Sequence, residues 1–249
     1  MMNLELSEKV SLVTGSSRGI GKAIALKLAE MGSKVAVNDI PGEIEISAVA
    51  KEIQNRGGEA IQIPGNVTIA KEVKSMTEKV IEKWGKIDIL VNNAGITRDK
   101  LILRMSEEDW DEVMGVNLRG AFLCSKYCLR SMMGLNWGRI INMASVAGTL
   151  GSMGRVNYSS SKGGLIAFTR SLAHEVGPKN ITVNAISPGW INTRLTENLS
   201  QEAKEFVLSR TVLRRFGKPH EVAELAAFIA SDRAGYITGQ VIGIDGGIT

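Results

Sequence analysis

The sequence has few of the residue types that build metal sites and disulfide frameworks. Among its 249 residues it has only two cysteines, Cys124 and Cys128, and two histidines, His174 and His220. These are too few for a zinc module, which takes about four soft ligands, or for a scaffold stapled by disulfides. The two cysteines lie four residues apart on a predicted helix and are expected to be buried packing residues. The chemistry must therefore come from other side chains.

The sequence also lacks long apolar runs and blocks of like charge. No stretch reaches the roughly 18 apolar residues of a membrane span, and residues 1–9 have no signal-peptide core. Thirty Lys and Arg are balanced by 26 Asp and Glu, for a net charge of +4, and these charges are interspersed along the chain. We therefore expect a cytoplasmic protein that binds neither membrane nor nucleic acid and whose ligand is a small anion.

The apolar residues that are present suit one α/β domain. Hydrophobic residues make up 44% of the chain, and 27 glycines provide for many turns. Seven short aliphatic runs alternate with amphipathic helical stretches, which predicts parallel strands joined by right-handed crossovers. The predicted strands are residues 9–14, 34–38, 60–63, 87–92, 139–144, 181–186 and 240–244. The expected fold is a single-domain, Rossmann-type, doubly wound sheet over residues 1–249, with helices on both faces.

The first turn of this pattern is rich in glycine. Residues 15–21 read G-S-S-R-G-I-G between the first strand and the first helix. Glycines at these positions allow a tight turn and let a pyrophosphate approach the amides at the helix N-terminus. The spacing differs from the common G-x-G-x-x-G fingerprint, so the loop alone fits both a dinucleotide site and a packing turn.

Asp39 and Arg18 give opposite indications about the cofactor. Asp39 ends the second strand, where a carboxylate accepts hydrogen bonds from the ribose hydroxyls of NAD and repels the 2′-phosphate of NADP. Arg18 lies in the glycine loop, where a guanidinium pairs with that phosphate or with the pyrophosphate. We give Asp39 more weight, so NAD(H) is favoured and NADP(H) is the alternative.

Tyr158 and Lys162 form a candidate proton-transfer pair. Their spacing at the start of a predicted helix places both on one face, and a cation within about 4–6 Å favours a phenolate, which predicts a lowered pKa for Tyr158. Alone, the pair also fits a half-buried tyrosine and a solvated lysine. Ser145 ends the fifth strand. Residues 92–95 lie at the end of the fourth strand, and residues 187–189 follow the sixth. Ligands bind beyond such strand ends, so these polar groups are expected to converge.

Together these residues resemble the motifs of the short-chain dehydrogenase/reductase family. The matching stretches extend over essentially the whole chain and are Thr14–Gly21, Asn92–Gly95, Asn117, Ser145, Tyr158–Lys162, Pro188–Gly189 and Asp245–Gly247. The resemblance implies that Tyr158 donates a proton to a carbonyl and that Ser145 orients it. It also implies that Lys162 binds ribose and lowers the tyrosine pKa, and that Asn117 supports a water relay.

The same resemblance implies a set of cofactor contacts, and the few Cys and His residues imply no metal site. The contacts are Gly15, Ser17, Arg18, Gly19, Ile20, Gly21, Asp39, Asn66, Val67, Asn93, Ala94, Gly95, Tyr158, Lys162, Pro188, Gly189, Ile191 and Thr193. Helical spacing is interrupted in residues 189–217, which are expected to form a mobile lid over the substrate.

Within the family, residues 92–99, followed by Arg104-Met105, are most similar to bacterial 3-oxoacyl-(acyl-carrier-protein) reductases. This implies a role in fatty acid biosynthesis, with reduction of a 3-oxoacyl thioester carried by acyl carrier protein or CoA, and a homotetramer. Those enzymes often have basic residues in the turn before the fifth strand, whereas residues 134–137 here have none. Arg130 and Lys179 are then the cations left to contact an acidic carrier protein.

The sequence leaves two alternatives open. One is an NAD-dependent dehydrogenase of another secondary alcohol, such as a hydroxyacyl-CoA, a sugar or a polyol. The other is a non-catalytic dinucleotide sensor, which would keep the glycine loop and Asp39 but has no need of Ser145, Tyr158 and Lys162.

Overall fold

Seven short aliphatic runs form the strands of one parallel sheet. In the computed structural model, which describes residues 5–43, 45–197 and 200–249, the strands are β1 (Val10–Val13), β2 (Lys34–Val37), β3 (Ala60–Gln62), β4 (Ile89–Asn92), β5 (Gly138–Met143), β6 (Ile181–Pro188) and β7 (Val241–Ile244). Their order is β3-β2-β1-β4-β5-β6-β7, and every neighbouring pair is parallel. Each predicted strand is confirmed, with ends that differ by no more than two residues.

Helices follow the strands and cover both faces of the sheet. Over the described ranges they are α1 (Gly19–Glu30), α2 (Glu45–Asn55), α3 (Ala70–Trp84), α4 (Glu107–Met114), α5 (Gly120–Leu135), α6 (Ala147–Leu150), α7 (Val156–Val176), α8 (Arg194–Glu197), α9 (Gln201–Arg210) and α10 (Pro219–Ala230). The apolar faces of α1, α2 and α10 pack in one core cluster, and those of α3, α5 and α7 pack in the other. Alternate strand residues enter the two clusters, as Leu90 and Val91 do, so the central strands are buried on both sides. The predicted doubly wound α/β fold is confirmed.

The strand order opens a crevice in the middle of the sheet. From β1 the chain runs outward to β3 and then crosses back to β4 on the other side of β1. The segments that follow β1 and β4 therefore diverge, and the crevice between them lies beyond the carboxyl ends of the strands. The segments after β5 and β6 begin at the same edge, because all seven strands are parallel.

Three predicted segments differ in detail from the structure. The sequence predicts a helix over residues 43–54, and in the structure this helix, α2, begins at Glu45. The sequence also predicts one helix over residues 108–133, where the structure has α4, a π-helical turn (Gly115–Arg119) and α5. The interrupted spacing in residues 189–217 reflects two short helices, α8 and α9, where an irregular stretch was expected. Residues 198 and 199 of this segment lie outside the described residues.

Cys124 and Cys128 are buried in α5, as predicted. Burial raises the pKa of Cys124 to about 12 and holds the pKa of Cys128 well above its ordinary value. Both thiols are therefore protonated at neutral pH and act as packing groups. In the part of the chain that the structure describes, no helix combines the length and apolarity needed to cross a bilayer.

Candidate active site

The glycine loop between β1 and α1 depends on close backbone contacts that only glycine allows. Gly15 has φ of +61°, and a Cβ there would lie 2.8 Å from the Cα of Ala94. A Cβ on Gly21 would overlap the carbonyl oxygen of Gly15 and the side-chain amide of Asn93. No side chain among the described residues caps the amino end of α1. Its first amides are therefore available to an anion such as a pyrophosphate.

Asn93 fastens this loop to the segment that follows β4. Its side-chain amide donates hydrogen bonds to the carbonyl oxygens of Thr14 (2.9 Å) and Gly15 (2.8 Å). In return, the Thr14 hydroxyl accepts hydrogen bonds from the backbone amides of Asn93 and Ala94, each at 3.0 Å. The Asn93 side chain, one of the predicted cofactor contacts, thus positions the loop. Thr14 takes part equally, although sequence reasoning gave its side chain no role.

The carboxylate of Asp39 lies against the glycine loop, two residues after the end of β2. Its Oδ2 accepts hydrogen bonds from the hydroxyl (2.6 Å) and the amide (3.3 Å) of Ser17, and Oδ1 accepts one from the amide of Ile40 at 2.9 Å. These donors fix the carboxylate at the edge of the loop, where this type of sheet places the ribose of a dinucleotide. A carboxylate there suits the two hydroxyls of an unmodified ribose.

The guanidinium of Arg18 pairs with acidic residues near the start of α2. It lies 3.3 Å from the carboxylate of Glu43 and 4.0 Å from that of Glu45. Arg194 of α8 also reaches Glu45, at 2.5 Å. Two carboxylates therefore compete with any cofactor phosphate for Arg18. Because exposed ion pairs are typically worth no more than about 1 kcal/mol, this competition is modest.

Asn66 and Val67 follow β3 and are fixed by local contacts. The side-chain oxygen of Asn66 accepts hydrogen bonds from the amide and the hydroxyl of Thr68, both at 2.9 Å. Val67 is buried against Gly120 at the start of α5, where a Cβ would lie 2.8 Å from Val67 Cγ2. This segment thus forms an ordered wall after β3.

Ser145, Tyr158 and Lys162 meet beyond the end of β5. Ser145 lies two residues after that strand, and the other two lie in the first two turns of α7. Ser145 faces the hydroxyl of Tyr158 closely enough to lower the pKa of that hydroxyl by hydrogen bonding, and the Lys162 ammonium lies 5.6 Å from the centre of the tyrosine ring. The structure therefore brings together the three side chains that the sequence singled out.

Lys162 is a buried cation. Only 4% of its surface is exposed, and Nζ donates a hydrogen bond to the carbonyl oxygen of Met143 at 2.6 Å. Over the described ranges, no carboxylate lies within ion-pair distance of it. Burial lowers the pKa of Lys162 to about 8, because desolvation disfavours the charged form. The side chain is thus mostly charged at neutral pH and loses its proton in mild alkali.

The prediction that the pKa of Tyr158 is lowered was wrong for this arrangement. Burial raises the pKa of Tyr158, because desolvation disfavours the phenolate. The hydrogen bond with Ser145 and the positive charge of Arg155 oppose this effect without overcoming it, and the charge of Asp99 adds to it. The prediction weighed the neighbouring lysine and left out the burial of the phenol.

Asn117 lies in the π-helical turn between α4 and α5. Its side-chain oxygen accepts a hydrogen bond from the amide of Ile96 at 2.8 Å, and its nitrogen donates to the Ile96 carbonyl (3.1 Å) and the Ser161 hydroxyl (3.0 Å). A Cβ on Gly95 would lie 3.3 Å from the Asn117 oxygen and 3.5 Å from Lys162 Nζ. Asn117 and Lys162 therefore flank the same glycine. Single π turns of this kind are frequent at functional sites.

The segment after β6 runs across to the glycine loop. Gly189 packs on the C-terminal segment, where a Cβ would lie 2.7 Å from the Cα of Asp245. Ile191 is buried and pairs with Gly217 in an isolated parallel bridge. Thr193 lies over the loop, 3.6 Å from the position of a Cβ on Gly19. The predicted cofactor contacts of this segment, which begins with Pro188 at the end of β6, therefore lie beside those of the glycine loop.

Two residues at the start of α7 escaped sequence reasoning. Arg155 stacks on the tyrosine ring, with Cζ 4.6 Å from the ring centre, and its Nε lies 3.1 Å from Asp99. Asn157 is buried and donates hydrogen bonds to the carbonyl oxygens of Arg98 and Asp109, both at 3.1 Å. Their partners lie 48 to 59 residues away along the chain, so local sequence carried no signal for them.

Known proteins are similar in sequence to this chain over nearly its whole length. A family model described as enoyl-(acyl carrier protein) reductase matches residues 15–249. The 3-oxoacyl-(acyl-carrier-protein) reductase FabG of Aquifex aeolicus is 50% identical over 99% of this chain and 100% of its own length. The 3-oxoacyl-(acyl-carrier-protein) reductase FabG of Thermotoga maritima is 47% identical over 98% of this chain and 99% of its own length.

One solved structure shows the same similarity in three dimensions. It is a protein from Sinorhizobium meliloti 1021 assigned as a short-chain alcohol dehydrogenase. It matches with a TM-score of 0.95 and 38% sequence identity, over 99% of this chain and 98% of that one. The likeness therefore includes both the sheet and the segments that surround the crevice.

Proposed function

The chain belongs to the short-chain dehydrogenase/reductase family, and from this premise we propose that it reduces a 3-oxoacyl thioester to the 3-hydroxyacyl thioester. Relatives at 47% and 50% identity bear the name of this reaction. The observation that carries the proposal is the contact between the hydroxyls of Ser145 and Tyr158, beside the Lys162 ammonium. Two hydroxyls at one point suit a single carbonyl oxygen, which can accept two hydrogen bonds.

In the proposed mechanism Tyr158 is the general acid. A bound nicotinamide cofactor supplies the hydride that adds to the carbonyl carbon. Tyr158 gives its phenolic proton to the carbonyl oxygen, so that the alcohol forms and a phenolate remains, and Ser145 donates a hydrogen bond to the same oxygen. Lys162 stabilises that phenolate by its positive charge and holds the cofactor ribose. Asn117, which flanks Gly95 together with Lys162, supports the water that returns the proton.

The residues around the crevice fit a dinucleotide. The uncapped amides of α1 would hold the pyrophosphate over residues 15–21, Asp39 would bind the adenosine ribose, and Asn66 and Val67 would line the adenine. The segments 93–95 and 188–193 would enclose the nicotinamide half. We propose NAD(H) as the preferred cofactor, on the strength of Asp39 and of the carboxylates that compete for Arg18. NADP(H) is the alternative.

Initial-rate kinetics with acetoacetyl-CoA test the reaction and the cofactor together. NADH and NADPH are compared at equal concentrations, and crotonyl-CoA is offered as a substrate with a C=C bond in place of the ketone. We expect oxidation of NADH with acetoacetyl-CoA and none with crotonyl-CoA. Turnover of crotonyl-CoA alone would favour an enoyl reductase, and turnover only of sugars or polyols with NAD would favour another alcohol dehydrogenase. Binding of NADH without any turnover would favour the sensor.

We propose an acyl carrier protein as one carrier of the substrate, held by the exposed cations Arg130 and Lys179. The carrier is acidic, so these charges would draw it to the enzyme without touching the acyl group. In the double variant Arg130→Ala and Lys179→Ala, KM for the acyl-carrier substrate should rise while KM for the CoA substrate stays constant. An equal change in both, or in neither, would place carrier binding elsewhere.

We further propose a homotetramer. Phe122 and Met133 of α5 are large apolar side chains with 44% and 47% of their surfaces exposed, so this helix offers an apolar face to another copy. Light scattering should give a mass about four times the 26.8 kDa of one chain. A monomer at micromolar concentration would contradict the assembly.

We also propose that residues 189–217 close over the substrate. The ion pair between Arg194 and Glu45 joins this segment to α2, and Thr193 lies over Gly19. A segment that closes should become resistant to limited proteolysis when NADH is added. Equal cleavage with and without NADH would show that the segment does not respond to the cofactor.

A further inference from the structure

Arg155 makes an unusual contact with the proposed proton donor. Its guanidinium lies over the ring of Tyr158, 4.6 Å from the ring centre. The Nε atom donates to Asp99 Oδ1 at 3.1 Å, and only 23% of the arginine side chain is exposed. A cation over an aromatic face is attracted by the ring, and more strongly where water is partly excluded.

The anchor of Arg155 is itself held in place. The backbone amide of Lys100 donates to the carbonyl oxygen of Gly154 at 2.8 Å. Asn157 donates to the carbonyl of Arg98 on the other side of Asp99. The segment that carries Asp99 is thus fixed to the start of α7 on both sides, and Asp99 can hold the guanidinium at a constant height over the ring.

The other charges around Tyr158 do not replace this contact. The charged groups that face the ring are Arg155 just before α7, Lys162 of α7 and Asp99 of the segment after β4. The uncharged Ser145 faces it from the segment after β5. On α4, which packs against α7, the buried carboxylate is that of Asp109, and it pairs with Lys100 at 2.6 Å.

Lys162 and Arg155 differ in how long they keep their charge as the pH rises. The pKa of Lys162 is lowered by burial to about 8, so its ammonium is lost in mild alkali. A guanidinium does not lose its proton under such conditions. We propose that Arg155, anchored by Asp99, is a positioning residue that fixes the ring of Tyr158 and places the positive charge of its guanidinium over that ring. This rests on the proposed role of Tyr158 as proton donor.

The test measures the ionisation of Tyr158 directly, apart from turnover. The chain has three tyrosines, Tyr127, Tyr158 and Tyr236, so protein labelled with ¹³C at the tyrosine Cζ gives three signals. The signal lost in Tyr158→Phe identifies the residue. Arg155→Met should move the titration of Tyr158 to higher pH, because a charge that favours the phenolate is gone.

Kinetics give the second readout. Oxidation of a 3-hydroxyacyl-CoA requires the phenolate, so the alkaline rise of kcat/KM should also move to higher pH in Arg155→Met. In Arg155→Met, kcat/KM near neutral pH should fall about two- to thirty-fold, the range of a partly desolvated cation–π contact. Arg155→Lys should recover part of the loss, and the affinity for NADH, measured by fluorescence, should be unchanged.

Arg233 provides a matched control. Its guanidinium also lies over an aromatic ring, 5.4 Å from the centre of Phe228, and also pairs with a carboxylate, that of Glu5 at 3.4 Å. Arg233→Met should leave the Tyr158 titration and kcat/KM as they are. An unchanged Tyr158 titration in Arg155→Met would overturn this inference alone. Full turnover in Tyr158→Phe would instead overturn the proposed function.

Discussion

Two buried cations lie at opposite ends of β5 and differ in almost every other respect. Arg139 is the second residue of the strand and is 1% exposed, and Lys162 bonds to the carbonyl of its last residue, Met143. Arg139 is paired, because its guanidinium lies 3.1 Å from Asp232 and 4.2 Å from the ring centre of Trp137. Lys162 has a single hydrogen bond to a carbonyl oxygen and no ion pair within the described part of the chain.

The difference agrees with the proposed role of each end of the sheet. At the amino end, Arg139 also donates hydrogen bonds to the carbonyl oxygens of Gly138 and Asn180, so it joins β5 to the loop before β6. A guanidinium keeps its charge there, which suits a structural tie. At the carboxyl end, an ammonium left without a carboxylate titrates near neutrality, which suits proton chemistry.

The largest expected effect tests whether the carboxyl end carries the chemistry. In Tyr158→Phe the proton donor is gone and the ring remains. Turnover should fall by about 10² to 10⁴-fold, the usual contribution of general acid catalysis, while the affinity for NADH stays within a few-fold. Initial rates and fluorescence titration of NADH measure both. Turnover within threefold of the parent would refute the assignment.

The two cations can be compared directly by the same substitution. Lys162→Met should lower kcat by about a hundredfold and leave the midpoint of thermal unfolding unchanged or higher, because burying the ammonium costs about 3 kcal/mol at neutral pH. Arg139→Met should leave kcat unchanged and lower the free energy of unfolding by about 1–3 kcal/mol, because buried carbonyl groups lose their donors. If both variants lost activity and stability alike, the contrast between the two ends would fail.

A smaller effect on activity is expected at Asp39, which lies beyond the carboxyl end of β2 and concerns the choice between NADH and NADPH. Asp39→Ser removes the charge that opposes a 2′-phosphate and keeps a hydroxyl near Ser17. The parent preference for NADH should be about tenfold to 150-fold in kcat/KM, equivalent to about 1–3 kcal/mol, and the variant should reverse or abolish it. The thermal midpoint without cofactor should fall slightly, because Ser17 and Ile40 lose the acceptor that Asp39 provides. A parent enzyme that works better with NADPH would show that Arg18 dominates in spite of Glu43.

The smallest effect concerns pH. The pKa of Lys162 in the folded protein is about 8, below the ordinary 10.5 of lysine. Its charge is therefore complete well below pH 8 and is lost as the pH rises through that value, so affinity for NADH should decline gradually over this range. Between about pH 8 and 10.5 the unfolded chain binds the proton and the folded protein does not. The lysine therefore destabilises the fold less as the pH increases. In Lys162→Met, neither the affinity for NADH nor the free energy of unfolding should change in this way with pH.

Sequence alone predicted the fold well because its signals are local. Each strand is a short aliphatic run, and alternation with helices leaves few topologies once crossovers are right-handed. The glycine loop and the spacing of Tyr158 and Lys162 are local as well. Residues 189–217 were less well predicted, because α8 and α9 are short and carry little periodic signal.

The electrostatics of the site could not be predicted in the same way. The stacking of Arg155, the bond from Lys162 to Met143 and the position of Asn117 depend on segments that are distant in sequence. The direction of the Tyr158 pKa depends on burial, which only the packed structure reveals. Spacing thus predicted which groups come together, and packing determined their state.

The hydrogen bonds of Asn93 have a consequence for how the protein acquires its cofactor site. They reach back 78 and 79 residues, from the end of β4 to the loop after β1. A nascent chain that has produced only the first three strands has every glycine of the loop but nothing to hold the loop in shape. Cofactor can therefore stabilise the folding chain only after β4 has docked beside β1. The glycine-loop segment on its own, although it carries the fingerprint, should be unable to bind a dinucleotide.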